Sequence, residues 1–287
     1  MLNIPVLARK PSKNVSPVHA KPYASKRLSA RLLSFALAGM LSFGADVASA
    51  DEIHVMISGG FSAAYRQLVP EFERITHDKV ITVAGPSMGD TPQAIPNRLE
   101  HGETADLLIM VGDALDKLTD KGKVVSDSRV PLALSPIGVA VKAGSPKPDI
   151  SSVDALRRTL LAAKSVAYSD SASGVYVGTT LYSKLGIADQ MQAKSRKIPA
   201  EPVAAVVARG EAELGFQQIS ELLPVPGVEV VGPIPDEVQK ITEFSAGVTS
   251  NAQNAAGARA LASFLSSRDA APVVRKTGLT PVASGRK

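Results

Sequence analysis

The chain has 287 residues, 45% of them apolar and 21% charged, with no cysteine and no tryptophan. That balance describes a globular protein with enough chain for one large or two modest cores, and it leaves disulfides no part in holding the fold together. The formal charge of +5 is concentrated in the first fifty residues, where Arg9, Lys10, Lys13, Lys21, Lys26, Arg27 and Arg31 face one acid, Asp46; the remainder is near neutral and carries no basic run with which to follow a phosphate backbone, so nucleic acid is excluded as a partner.

Behind the basic segment comes LLSFALAGMLSFGADVASA, a short apolar core that ends in Ala48-Ser49-Ala50. Its unbroken apolar run is about a dozen residues, short of the ~20 a spanning helix needs, so residues 1–50 read as a secretory signal cleaved before Asp51. The expectation is a periplasmic protein with no membrane insertion after cleavage.

The segment EIHVMISGGFSAAYRQLVPEFERITHDKVITVAG alternates like a strand and breaks at Gly59-Gly60. It then places Phe61, Tyr65, Leu68, Val69 and Phe72 at helical spacing before a second strand at Val80–Val83. TPQAIPNRLEHG reads as a helix, and ADLLIMVG as a buried strand followed by a helix ending near Gly122. SPIGVAVKAG, residues 135–144, opens a second αβ series: helix 152–163, strand SVAYS, helices 174–185 and 203–209, then strands LGFQQ and VEVVGPI. ITEFSAGVTS, residues 241–250, is again extended, and helices close the chain. Alternating strands and helices predict an α/β fold of mainly parallel sheets. The extended crossovers at 135–142 and 241–250 predict two lobes joined by a hinge: 51–134 plus 251–287, and 135–250.

Nucleophile-elbow, zinc-protease, Walker and dinucleotide motifs are absent. His54, His77 and His101 have no ligand-like spacing and cysteine is lacking, so no metal and no cofactor is expected. What recurs is a Gly/Ser loop between a strand and a helix: Gly59-Gly60-Phe61-Ser62, Gly85-Pro86-Ser87-Met88-Gly89 and Ser171-Ala172-Ser173-Gly174. Helix starts offer unpaired N–H groups to an anion, and in open α/β sheets such loops converge on one crevice.

GGFSAAYRQLVPEFE, GETADLLIMVGDALDKLTDKGKV, SPIGVAVKAGSPKPDI, YSDSASGVYVGTTLYSKLGI and VARGEAELGFQQISEL, in this order over residues 52–283, resemble the periplasmic molybdate-binding protein family of ABC importers. The resemblance implies a two-lobed type II periplasmic binding protein fold, a monomer that holds a small anion between its lobes, and an ABC permease as partner. The family's oxyanion donors fall at Gly60, Ser87, Ser173, about Val203 and Gln218. Gly59, Phe61, Ser62, Met88, Gly89, Ser171, Gly174 and Tyr176 complete the candidate ligand-binding set.

Two donor side chains differ from the family pattern: Gly60 offers only its backbone N–H, and Gln218 an amide in place of a hydroxyl. Each buried donor lost to an anion costs about 1.5–3 kcal/mol, and a site widened at Gly60 suits a larger, planar carboxylate. Alternatively, Ser62 replaces the missing serine and a small oxyanion still binds. A further reading is an exported aconitate isomerase, which uses a similar fold to shift a proton along the allylic system of a tricarboxylate. Tyr168, Asp170 and Tyr176 border the third loop as candidate bases, and Arg66, Arg98, Arg129 and Arg209 are the cations at hand; the sequence singles out none of them.

Overall fold

The structure is a computed structural model and describes residues 51–199 and 201–282. The leader expected over 1–50 lies outside the described residues. Among the described residues no helix is long and apolar enough to cross a membrane.

The first αβ series comprises β1 (Glu52–Ile57), α1 (Gly59–Thr76), β2 (Lys79–Ala84), α2 (Ile95–Glu100), β3 (Leu107–Val111), α3 (Gly112–Asp120) and β4 (Val130–Ser135). Helix α1 buries Phe61, Tyr65, Leu68 and Phe72, the stripe its spacing predicts, and ends at His77, whose φ of 64° closes the helix through an N–H bond to the Glu73 carbonyl. All five residues of β3, LLIMV, are buried, as a central strand requires.

The second series holds β5 (Ile137–Lys142), α4 (Val153–Ala162), β6 (Val166–Ser169), α5 (Ala172–Tyr176), α6 (Tyr182–Lys184), α7 (Ala188–Gln192), β7 (Ser195–Ile198), α8 (Val203–Ala208), β8 (Leu214–Gln218), α9 (Ile219–Leu222) and β9 (Val228–Pro233). The helix expected over 174–185 is found in three parts, with a π-helical stretch Val177–Leu181 between α5 and α6. The chain then adds β10 (Thr242–Val248), α10 (Ala255–Leu265), α11 (Ala271–Lys276) and β11 (Thr280–Pro281).

Two sheets result, one in the order β11-β4-β10-β3-β1-β2 and one in the order β7-β6-β8-β5-β9. The parallel pairing expected of βα units is found for β1 with β2 and β3, and for β6 with β7 and β8. As wholes the sheets are mixed, because β10 runs antiparallel between β3 and β4, and β5 antiparallel between β8 and β9. Each sheet carries its own large apolar cluster, one around Phe61, Leu108 and Leu261, the other around Val139, Leu156 and Phe216.

The chain passes from the first sheet to the second at Pro136 and returns between Pro233 and Thr242. The crossover stretches expected at 135–142 and 241–250 are therefore largely strands: β5 buries five of its six residues and β10 six of its seven, so both are gripped inside their sheets. Gln239 ties the two passages together. Its Oε1 accepts the Ile137 N–H at 2.8 Å, and its Nε2 donates to the Ile137 and Ile234 carbonyls at 3.0 and 3.1 Å.

Candidate functional site

All three Gly/Ser loops reach one cavity of about 380 Å³. Gly59, Ser62 and Arg66 of α1 line it with Gly85 and Pro86 after β2, Ser169, Asp170 and Ser171 after β6, and Glu201 and Pro202 before α8. Gln93 before α2, Gln217 at the end of β8 and Ser220 and Glu221 of α9 complete its polar lining. The loops meet here because each follows the carboxyl end of a parallel strand, where helix amino ends turn toward a shared crevice.

Of the residues predicted for ligand binding, Gly59, Ser62 and Ser171 line this cavity. Ser62 Oγ donates to the Ser58 carbonyl at 3.0 Å. Gly60 is buried; the room left by its missing side chain is filled by the Phe244 ring, so the widening expected there does not exist. Its carbonyl accepts Ser220 Oγ at 2.7 Å. Phe61 is wholly inside the first core. Ser87 is buried with its Oγ accepting the Val111 N–H at 3.0 Å, which ties the second loop to β3. Gly89, at φ 111°, lies against Asp170, its Cβ position 3.6 Å from Asp170 Oδ2.

Ser173 is buried with its hydroxyl 3.1 Å from Ser169 Oγ, and Gly174 sits so close to β6 that an added Cβ would fall 1.6 Å from the Ser169 carbonyl oxygen. Met88 and Tyr176 face a second hollow of about 320 Å³, and the Tyr176 hydroxyl donates to the Val238 carbonyl at 2.6 Å. The Val203 N–H is taken by Gln217 Oε1 at 3.0 Å. Gln218 is buried, donates to Thr242 Oγ1 at 2.8 Å and leaves its Oε1 without a partner.

The charged groups of the cavity set its chemistry. A residue that the Gly/Ser pattern does not mark is Glu221 of LGFQQISEL, where β8 passes into α9 without a loop. Its carboxyl is partly buried, and burial pushes its pKa up to about 7, against hydrogen bonds from the Gln217 side chain and the Gln218 backbone that lower it. Asp170 is 8% exposed and its Oδ2 has no hydrogen-bond partner. Arg98 pairs with Glu103, Arg129 with Glu243 and Asp116, and Arg209 with Glu201 and Glu211. Arg66, exposed on α1 and facing the cavity, has no ion pair among the described residues. The set can anchor a carboxylate on a cation and exchange a proton at a carboxyl poised near neutrality. No group of three or more His, Cys, Asp or Glu with metal-binding geometry occurs among the described residues.

Comparison with known proteins places this geometry in context. The chain is 51% identical over 255 residues to a protein of Pseudomonas sp named aconitate isomerase, covering 88% of this chain and 97% of the relative. The periplasmic molybdate-binding protein of Azotobacter vinelandii matches in structure with a TM-score of 0.65 at 20% identity, over 81% of this chain and 100% of that one. The sulfate-binding protein SubI of Mycobacterium tuberculosis H37Rv gives 0.66 at 19% identity, over 81% and 87%. These likenesses carry the type II periplasmic binding fold that the sequence resemblance implied. Residues 53–280 match the family described as bacterial extracellular solute-binding protein, and the chain belongs to that family.

Proposed function

We propose that this chain is an aconitate isomerase: an exported, periplasmic enzyme, freed of residues 1–50, that interconverts cis- and trans-aconitate. The observation that carries the reading is the 51% identity, over nearly the whole of both chains, to the Pseudomonas protein of that name. The cavity supports it. At about 380 Å³ it is in the range of small-molecule sites, and it joins an arginine without an ion pair among the described residues, which can hold a carboxylate, to a carboxyl that can exchange a proton. The reaction breaks a C–H bond at the methylene of the tricarboxylate and forms one at the far carbon of the same allylic unit. The developing charge spreads into the conjugated carboxylates, which Arg66 and the Ser171 hydroxyl, both lining the cavity, are placed to stabilise. Substrate entry and release go with movement of two lobes, the part built on β1–β4, β10 and β11 against the part built on β5–β9, about the passages at Pro136 and 234–241.

The second reading, a binding protein that delivers an anion to an ABC permease, is favoured by the family match and by the molybdate- and sulfate-binding likenesses. Calorimetric titration of the purified protein with trans-aconitate, molybdate and sulfate, run beside an assay for conversion of cis- to trans-aconitate, separates the two. The isomerase reading requires heat of binding with the tricarboxylate and none with the oxyanions. Tight molybdate binding without tricarboxylate binding contradicts it.

A further inference from the structure

We propose, resting on the isomerase reading, that the carboxyl group of Glu221 carries the proton of the allylic shift in both directions: it takes the proton from the methylene and returns it to the other end of the allylic unit. Helix α9 follows β8 without a loop and sets Glu221 directly against the start of α1. The approach is possible because residue 59 is glycine; a Cβ there would lie 2.0 Å from Glu221 Oε1. Gln217 and the Gln218 backbone hydrogen-bond the carboxyl and orient it into the cavity it lines.

The two tyrosines are committed elsewhere. The Tyr176 hydroxyl is spent on the Val238 carbonyl, and Tyr168 packs edge-on against Tyr182 in the second core. Asp170 also lines the cavity, beside Gly89 and with its Oδ2 unpartnered, but lacks the orienting hydrogen bonds that Glu221 has; loss of turnover in Asp170→Asn with Glu221→Gln active would give it the role instead. Charged groups facing Glu221 across the cavity are Arg66 from α1, Asp170 from the loop after β6 and Glu201, which pairs with Arg209. Elsewhere on the elements packed against α9, Arg74 of α1 pairs with Glu71, Glu73 accepts the Val80 N–H, and Glu229 of β9 pairs with Lys147; Lys142 of β5 lies beside Gly210, while α8 and β8 carry no charge. Among the described residues no cation pairs with Glu221, and burial outweighs the two hydrogen bonds that favour its ionised form. A carboxyl that titrates near 7 is half-loaded at neutral pH and serves as acceptor and donor in turn.

The steps balance without a co-reactant. Ionised Glu221 forms an O–H bond as the methylene C–H bond breaks, and the electron pair enters the conjugated allyl-carboxylate system. The O–H bond then breaks as the proton bonds to the far allylic carbon, and Glu221 ends ionised.

The test is steady-state turnover of cis-aconitate by wild type, Glu221→Gln, Glu221→Asp and Asp170→Asn, with trans-aconitate affinity measured beside it. Glu221→Gln should lose kcat by about 10²–10⁴-fold and keep trans-aconitate affinity within a few-fold. Glu221→Asp should recover part of the loss, and wild-type kcat/KM should rise with pH to a plateau above about 7. Glu221→Gln turnover within tenfold of wild type, or a wild-type kcat/KM flat across pH 5.5–8.5, overturns the role; if Glu221→Gln fails to fold, Glu221→Asp and the pH profile of kcat, which is free of the unbound substrate's own ionisation, decide it. A wild type with no turnover removes the isomerase reading itself, whereas an active Glu221→Gln variant removes only the role of Glu221.

Discussion

Gly59 and Glu221 meet across the cavity so closely that a methyl group on the glycine would lie 2.0 Å from the carboxyl oxygen Oε1. The atom it would strike is the far end of a flexible side chain. Gly59→Ala therefore shifts the carboxyl at little cost to the fold, within about 1 kcal/mol, and lowers kcat by about 10–100-fold through misplacement of the reacting group. Gly60→Ala strikes the Phe244 ring, a core side chain 2% exposed, and should cost about 1–3 kcal/mol of stability. Thermal melts and turnover of the two variants, side by side, check that the adjacent glycines separate in this way.

The raised pKa of Glu221 makes stability depend on pH. Between its ordinary value of 4.5 and about 7 the folded state holds a proton that the unfolded chain has released. This contribution is complete below about 4.5, declines as pH rises, and is gone above about 7. Glu221→Gln has no such group, so its melting temperature relative to wild type should climb from pH 5 to pH 8. A constant difference across that range would show that the carboxyl titrates normally.

Arg66 has no ion pair among the described residues and is exposed, so Arg66→Met should leave stability nearly unchanged, within about 0.5 kcal/mol. Loss of a charged hydrogen bond to a substrate carboxylate is worth about 1.5–3 kcal/mol, which corresponds to a KM about 10–100-fold higher. Arg66→Lys should fall between, since lysine keeps the charge but not the planar fork.

Gln239 clips the two passages between the sheets with three hydrogen bonds. Gln239→Leu should lower stability by about 1.5–3 kcal/mol, because it also leaves the Ile137 N–H without its acceptor. Chemical denaturation with an unchanged m-value and a lower midpoint is the expected result.

Much of this architecture was legible in the sequence because helical and strand periodicities are strong where elements are half-buried: the stripe of α1 and the run LLIMV of β3 fall where their spacing put them. Strand β7, SRKI, was not legible; it is an edge strand with only Ile198 buried, and a charged edge has no apolar alternation to read. The senses of β5 and β10 also escaped, since an apolar run looks alike in a hinge and in a sheet centre. In the site, the three Gly/Ser loops could be read from their place between strand and helix, but which hydroxyl faces the cavity could not. Ser87 and Ser173 turn to neighbours in the fold, while Ser62 and Ser171 line the cavity. Glu221 was invisible because its chemistry depends on α1 lying against it from far earlier in the chain, a contact that local spacing does not encode; the neighbouring Ser220–Gly60 hydrogen bond spans 160 residues.

Proton NMR of cis-aconitate incubated with a catalytic amount of the purified protein tests the isomerase assignment most directly. The vinyl and methylene signals of trans-aconitate should grow at a rate proportional to protein concentration until the two isomers reach equilibrium, and the same mixture should form from the trans isomer. A spectrum that stays that of cis-aconitate over many hours, from protein that is folded and binds molybdate, would contradict the assignment.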